Sequence, residues 1–199
     1  MSTELITKLR EMTGAGIMDC RNALKESNND IDKACQWLRE KGIASAVKRA
    51  GRSAKQGLVY SYIHGNGTLG VLIEVNCETD FVAKTEDFQN LVKEVAMQVA
   101  AAAPTYISRE QIPANVLEAE KEIYKAQLKE EGKPEKIYDK IIAGKIEKFY
   151  SQVCLYDQIY IRDISGKETV KDLVTNAIAK IGENIVIKRF ARFKLGEEE

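Results

Sequence analysis

Apolar positions along the chain change period three times, and each change marks a boundary. Leu5, Ile6 and Leu9 stripe one helical face until Thr13-Gly14-Ala15-Gly16, where two glycines within three residues demand a turn. A second helix is predicted from about Ile17 to Glu26, with Ile17, Cys20, Ala23 and Leu24 facing inward. Ser27-Asn28-Asn29-Asp30 then forms a loop in which Asp30 caps a third helix carrying Ile31, Ala34, Cys35 and Leu38. Three helices of this size bury little, so residues 1–41 are expected to form a modestly stable module. Residues 42–55 read as a helical, basic connector with Lys48, Arg49, Arg52 and Lys55.

From Gly57 the period becomes two. Leu58 to Ile63 and Leu69 to Val75 flank Gly65-Asn66-Gly67, a strong β-hairpin signal. Helical spacing returns with Phe88, Leu91, Val92, Val95, Ala96, Val99 and Ala103, and stops at Pro104. Further helices are predicted over Ala114 to Glu130, closed by Gly132; from about Pro134, with Ile137, Ile141 and Phe149; and from a Thr169 cap to Gly182. A last strand, Ile185 to Phe193, precedes an acidic tail. The body, residues 56–199, is therefore expected to be α+β: a three-stranded antiparallel sheet packed with helices. The last strand alternates Ile185, Ile187 and Phe193 with Val186 and Phe190, so both faces are apolar. One face can meet this chain's own helices. The other requires a cover, either another helix of the chain or a second copy, which makes a homodimer the expected state.

Between strand and helix lies the most informative stretch, Glu74-Val75-Asn76-Cys77-Glu78-Thr79-Asp80-Phe81-Val82-Ala83-Lys84. Asp80 suits a helix N-cap, and Phe81 right behind it points sideways from the strand-to-helix corner. Such a ring serves as an apolar wedge for a neighbour, or as a core residue capping the sheet edge.

Composition excludes more than it selects. The 199 residues carry 30 Lys plus Arg and 30 Asp plus Glu, so the net charge is zero. Nucleic-acid binding normally needs a basic excess, and the four cations of the connector have no interleaved aromatics to stack bases, so no direct nucleic-acid binding is expected. No run reaches the ~20 apolar residues of a membrane span, and the N-terminus lacks a signal core; a cytoplasmic protein with no membrane contact is expected. Cys20, Cys35, Cys77 and Cys154 form no CxxC pair and read as reduced, buried small hydrophobes. The single histidine, His64, sits by the hairpin turn without an evident partner, and Trp37 reads as a packing plug. Phosphate-loop, dinucleotide, hydrolase and zinc-protease motifs are absent; Thr13-Gly14-Ala15-Gly16 follows a helix instead of a strand and reads as a helix–helix turn. Glu74, Glu78 and Asp80 read as a solvated acidic edge. No catalytic residue, metal or cofactor is expected, and an enzyme is disfavoured.

Two motifs in order, Thr13-Gly14-Ala15-Gly16-Ile17-Met18-Asp19-Cys20 with Asn22-Ala23-Leu24, and Glu74 to Lys84, closely resemble the elongation factor Ts family. Gly132-Lys133-Pro134 and Leu155 to Asp163 extend the likeness over essentially the whole chain. The resemblance implies a guanine-nucleotide exchange factor for the GTPase elongation factor Tu. It implies a ubiquitin-associated-like fold for the N-terminal three helices, docking on the GTPase through Gly14, Ala15, Gly16, Ile17 and Met18. It also places Thr79, Asp80, Phe81 and Val82 near the partner's nucleotide and magnesium site. Longer family members have a core of two similar halves, an inserted helical hairpin and a C-terminal helix. This chain shows one hairpin and one further strand, which strengthens the expectation of a dimer. The readings that compete are an RNA-associated module, a ubiquitin-type adaptor and, last, a thiol enzyme.

Overall fold

A computed structural model describes residues 2–197. Its described residues form two compact units that share continuous elements. One takes in the chain up to Tyr60 with Ile73–Glu94 and Asp172–Phe190; the other takes in Ser61–Leu72, Val95–Lys171 and the chain from Ala191. The architecture is α+β, with eight α-helices among the described residues and one antiparallel sheet of three strands that lie side by side in chain order.

In the first unit, α1 (Thr3–Thr13), α2 (Ile17–Glu26) and α3 (Ile31–Arg49) enclose a small core of Leu9, Cys20, Ala23, Leu24 and Ala34, with Trp37 packed at its edge. Asp30 caps α3 as its side chain accepts from the Lys33 amide at 3.1 Å. One expectation fails here: Ile17 is 55% exposed instead of facing inward. It is the first residue of α2, and α1 has already turned away at Gly14, so the inward stripe starts only at Cys20. The third helix runs on past residue 41 to Arg49, and Gly42 within it lets α3 approach the later helix α8 (Val170–Ile181) closely: a Cβ there would lie 3.2 Å from that of Ala179. Helical structure ends at Arg49, so residues 50–55 of the expected helical connector are not helical.

The strands are β1 (Gln56–His64), β2 (Leu69–Cys77) and β3 (Val186–Lys194). Between β1 and β2, Asn66 and Gly67 both have positive φ, 44° and 86°, while Thr68 donates to the Gly65 carbonyl at 2.9 Å. Positive φ at both central positions matches strand twist, which is why Asn-Gly is favoured there. Gly57 has a stricter task. Its φ is 140°, and a Cβ would fall 2.1 Å from the Val75 carbonyl oxygen.

Val71, Ile73, Val75 and Cys77 of β2 are buried. Within the first unit, Ile73, Val75 and Cys77 of that strand, Phe88, Leu91 and Val92 of α5 (Glu86–Ala102), and Val174, Ile178, Ile185 and Ile187 are all buried. Simple alternation on β3 breaks at Lys188-Arg189, both exposed. Arg189 donates to Glu74 on the open face at 2.7 Å, and Arg192 Nε donates inward to the Ala100 carbonyl at 3.2 Å. The one-residue shift puts Phe193 on the open face, 65% exposed, instead of on the face of Ile185 and Ile187.

In the second unit, α6 (Ala114–Glu130) and α7 (Tyr138–Val153) form a helical hairpin turned at Gly132, φ 66°. Arg109 lies over the Tyr150 ring at 4.4 Å, donates twice to Glu147 at 3.0 and 2.8 Å, and donates to Asp157 at 2.8 Å. A buried amide pair ties the following loop to α5: Gln98 Nε2 donates to Gln158 Oε1 and the Ile159 carbonyl, and its Oε1 accepts from the Ile161 amide. The acidic tail lies partly outside the described residues; Glu197 pairs with Arg192 and Lys194. Among the described residues no helix is long and apolar enough to cross a membrane.

Candidate functional site

The corner that follows β2 is built from both ends. Cys77 is the last buried residue of the strand, and its Sγ donates to the Thr79 carbonyl at 3.1 Å. Thr79 is still extended, at φ −124° and ψ 154°, and its Oγ1 accepts from the Val82 amide at 3.3 Å. Thr79, and not Asp80, is therefore the N-cap of α4 (Asp80–Ala83). Both residue types cap well; the choice goes to the one still extended where the strand stops. Asp80 becomes the first helical residue and accepts from Lys84 at 2.8 Å, which holds its carboxyl below the usual carboxylate range.

Phe81 is the second helical residue, and it is 78% exposed. Lys84 lies 5.9 Å from its ring centroid. Val82 is half-buried, while Ala83 is buried and anchors the turn. The ring thus stands on a short helix fixed from beneath.

Sequence reasoning missed what fixes it. Glu183, just after the Gly182 stop of α8, accepts from the Glu78 and Thr79 amides at 3.0 Å each through Oε2, and from Thr79 Oγ1 at 2.7 Å through Oε1. In return Glu78 Oε1 accepts from the Asn184 amide at 2.6 Å and pairs with Arg52 at 3.5 Å. Asn184 is buried and donates to the Arg52 carbonyl at 2.8 Å. The acid after a helix-stop glycine was the available signal, but nothing local says where it reaches.

The acidic edge resolves into separate pairs. Glu74 accepts from Arg189 and Asn76, the Arg189 bond drawing its carboxyl below the usual range; Glu78 and Asp80 have the cationic partners already named. Among the described residues no group of three or more His, Cys, Asp or Glu is arranged to hold a metal ion. The four thiols are free, and burial raises each of them, Cys77 and Cys154 to about 11. High thiol values leave little thiolate at neutral pH, which suits packing and not nucleophilic chemistry. His64 Nδ1 lies 2.9 Å from the Tyr62 hydroxyl.

The N-terminal turn forms a second surface. Gly14 is the left-handed C-cap of α1, φ 66°, its amide donating to the Arg10 carbonyl at 2.7 Å, and Gly16 is the N-cap of α2. Ala15 is half-buried, its carbonyl accepting from the buried Cys20 thiol at 3.6 Å. Ile17 and Met18 project from this turn, Met18 being 61% exposed, with Met12 exposed as well.

A family profile described as Elongation factor TS matches residues 8–167, which span both surfaces. The elongation factor Ts of Caldanaerobacter subterraneus subsp. tengcongensis is 60% identical over 197 residues, covering 99% of this chain and 98% of that protein. Those of Moorella thermoacetica and Thermotoga maritima are 58% and 56% identical, covering 96% and 99% of this chain and 94% and 97% of theirs. At this identity over nearly full length, this chain belongs to the elongation factor Ts family.

Proposed function

We propose that this chain is a guanine-nucleotide exchange factor of translation elongation, acting in the cytoplasm by binding elongation factor Tu and promoting GDP release. The observation that carries the reading is the exposed Phe81 ring on a hydrogen-bonded strand-to-helix corner, in a member of the elongation factor Ts family. A factor speeds release only by binding the nucleotide-free or distorted GTPase better than the GDP form. A stiff apolar wedge does this by shape: it occupies space near the nucleotide and magnesium site that the GDP form fills otherwise. No covalent step is needed, so the factor needs no catalytic group, metal or cofactor of its own. Thr79 caps the wedge, Asp80 meets partner polar groups, Phe81 inserts, and Val82 supports it from below.

Residues 1–41 serve as the docking module in this reading, with Gly14, Ala15 and Gly16 shaping the turn and Ile17 and Met18 touching the GTPase; residues 42–55 connect it to the body, residues 56–199. The second unit's half of the open sheet face, where Ile63, Leu72 and Phe193 are exposed, pairs with a second copy. Three large apolar side chains on one small face are an association surface.

Stopped-flow release of labelled GDP from elongation factor Tu, with and without this protein, tests the reading. A rate that rises and saturates with its concentration is the expected result; an unchanged rate overturns it. Light scattering tests the dimer: two chains per particle are expected, and Phe193→Glu should give one. A monomeric wild type removes the pairing.

A further inference from the structure

We propose that Glu183 is a positioning residue for exchange: its carboxylate sets the strand-to-helix corner in the orientation that presents Phe81. The inference rests on the wedge reading of Phe81 and adds the device that makes a wedge possible. Helix α4 has four residues, far fewer than the ~12–15 that sustain an isolated helix in water. Its exposed Phe81 packs little against its own chain, so the orientation must come from outside the turn.

Glu183 supplies it. One carboxylate oxygen accepts from two successive amides, Glu78 and Thr79, at 3.0 Å each, and so fixes the peptide plane between strand and helix. The other accepts the Thr79 hydroxyl proton at 2.7 Å. With its proton committed to Glu183, the hydroxyl keeps its lone pairs for the Val82 amide, 3.3 Å away, which is the α4 cap itself. The cap thus depends on Glu183, since bonds in such a chain polarise one another. The reciprocal bond from the Asn184 amide to Glu78 Oε1, at 2.6 Å, holds the Gly182 turn against the same corner. Hydrogen bonds to a charged acceptor are the strong kind, and three converge on this one carboxylate.

The test measures GDP release from elongation factor Tu with the full chain, separating the saturating rate from the half-saturating concentration. Glu183→Ala should lower the saturating rate about tenfold, equivalent to about 1.4 kcal/mol. The half-saturating concentration should stay within about twofold, since docking through the N-terminal turn is untouched. Glu183→Gln keeps one acceptor oxygen and should fall between. In a Phe81→Ala background, Glu183→Ala should add less than about twofold, because both act through one ring. Amide exchange should quicken at Glu78, Thr79 and Val82 but not at core amides such as Val92. A normal rate in Glu183→Ala beside a slow Phe81→Ala overturns the proposal alone. Full additivity of the two also overturns it, as does a melted Glu183→Ala together with a Glu183→Gln that exchanges normally. A normal rate in Phe81→Ala overturns the wedge reading and this proposal with it.

Discussion

Replacing Phe81 with Ala separates a wedge from a core residue, because the two roles place the ring's free energy in different states. Complete burial of a Phe side chain is worth roughly 1.5–3 kcal/mol. With 78% of the residue exposed, at most about 0.7 kcal/mol of that is engaged within the chain itself. For a chain of this size, 1 kcal/mol moves the melting temperature by about 2–4 °C, so Phe81→Ala should shift it by no more than about 3 °C. The exposed remainder, about 1–2 kcal/mol, becomes available on insertion into the partner. If the ring is buried only in the nucleotide-free complex, its loss should slow GDP release about 5- to 30-fold. Stopped-flow release of labelled GDP at saturating factor reads this directly, with a thermal melt of the variant alongside. A melting temperature lowered by 8 °C or more would mean that the ring supports the fold, and an unchanged release rate would mean that it is no wedge.

Three further substitutions probe the frame around the corner. Met18→Glu should raise the half-saturating concentration for exchange while leaving the melting temperature within about 2 °C, as surface changes usually do; it is cleaner than a deletion at residue 41, which would cut α3 between Ile31 and Arg49. Gly57→Ala should destabilise the chain by more than about 1 kcal/mol in urea denaturation, because the added Cβ would meet the Val75 backbone, which cannot swing aside. Asp163, which accepts from the Ser165, Lys167 and Glu168 amides and the Ser165 hydroxyl, has its carboxyl held well below the usual range, chiefly by the Glu168 amide. A depressed folded value means stability present above the ordinary carboxylate range and lost as pH falls through the folded value, so Asp163→Asn should be less stable than wild type at neutral pH, with the gap narrowing in acid. A gap independent of pH between 7 and 3 would contradict that assignment.

Much of the fold was legible because it is written in local periods and turn chemistry. Helix α2 runs over the residues its pattern predicts, Gly132 and Gly182 end helices with positive φ, and Asn66-Gly67 turns the hairpin. Each of these depends on side chains within a few residues of one another. Gln98 was not legible in this way: on a helix read for its apolar stripe, a buried amide is visible only once the loop carrying Ile159 and Ile161 lies against it. The single-residue shift on β3 belongs to the same group, since Phe193 changes face according to where neighbouring strands place their hydrogen bonds.

The corner divides the same way. Its existence, with an aromatic behind a capping residue at a strand's end, follows from the order of residues 74–84 alone. Which residue caps, and what keeps the ring outward, was decided by a contact between Glu183 and Thr79 that spans 104 positions. Periodicity and capping are properties of neighbours along the backbone, so the linear order determines them. A hydrogen bond between distant segments forms only after packing has brought both there, and that belongs to the tertiary structure.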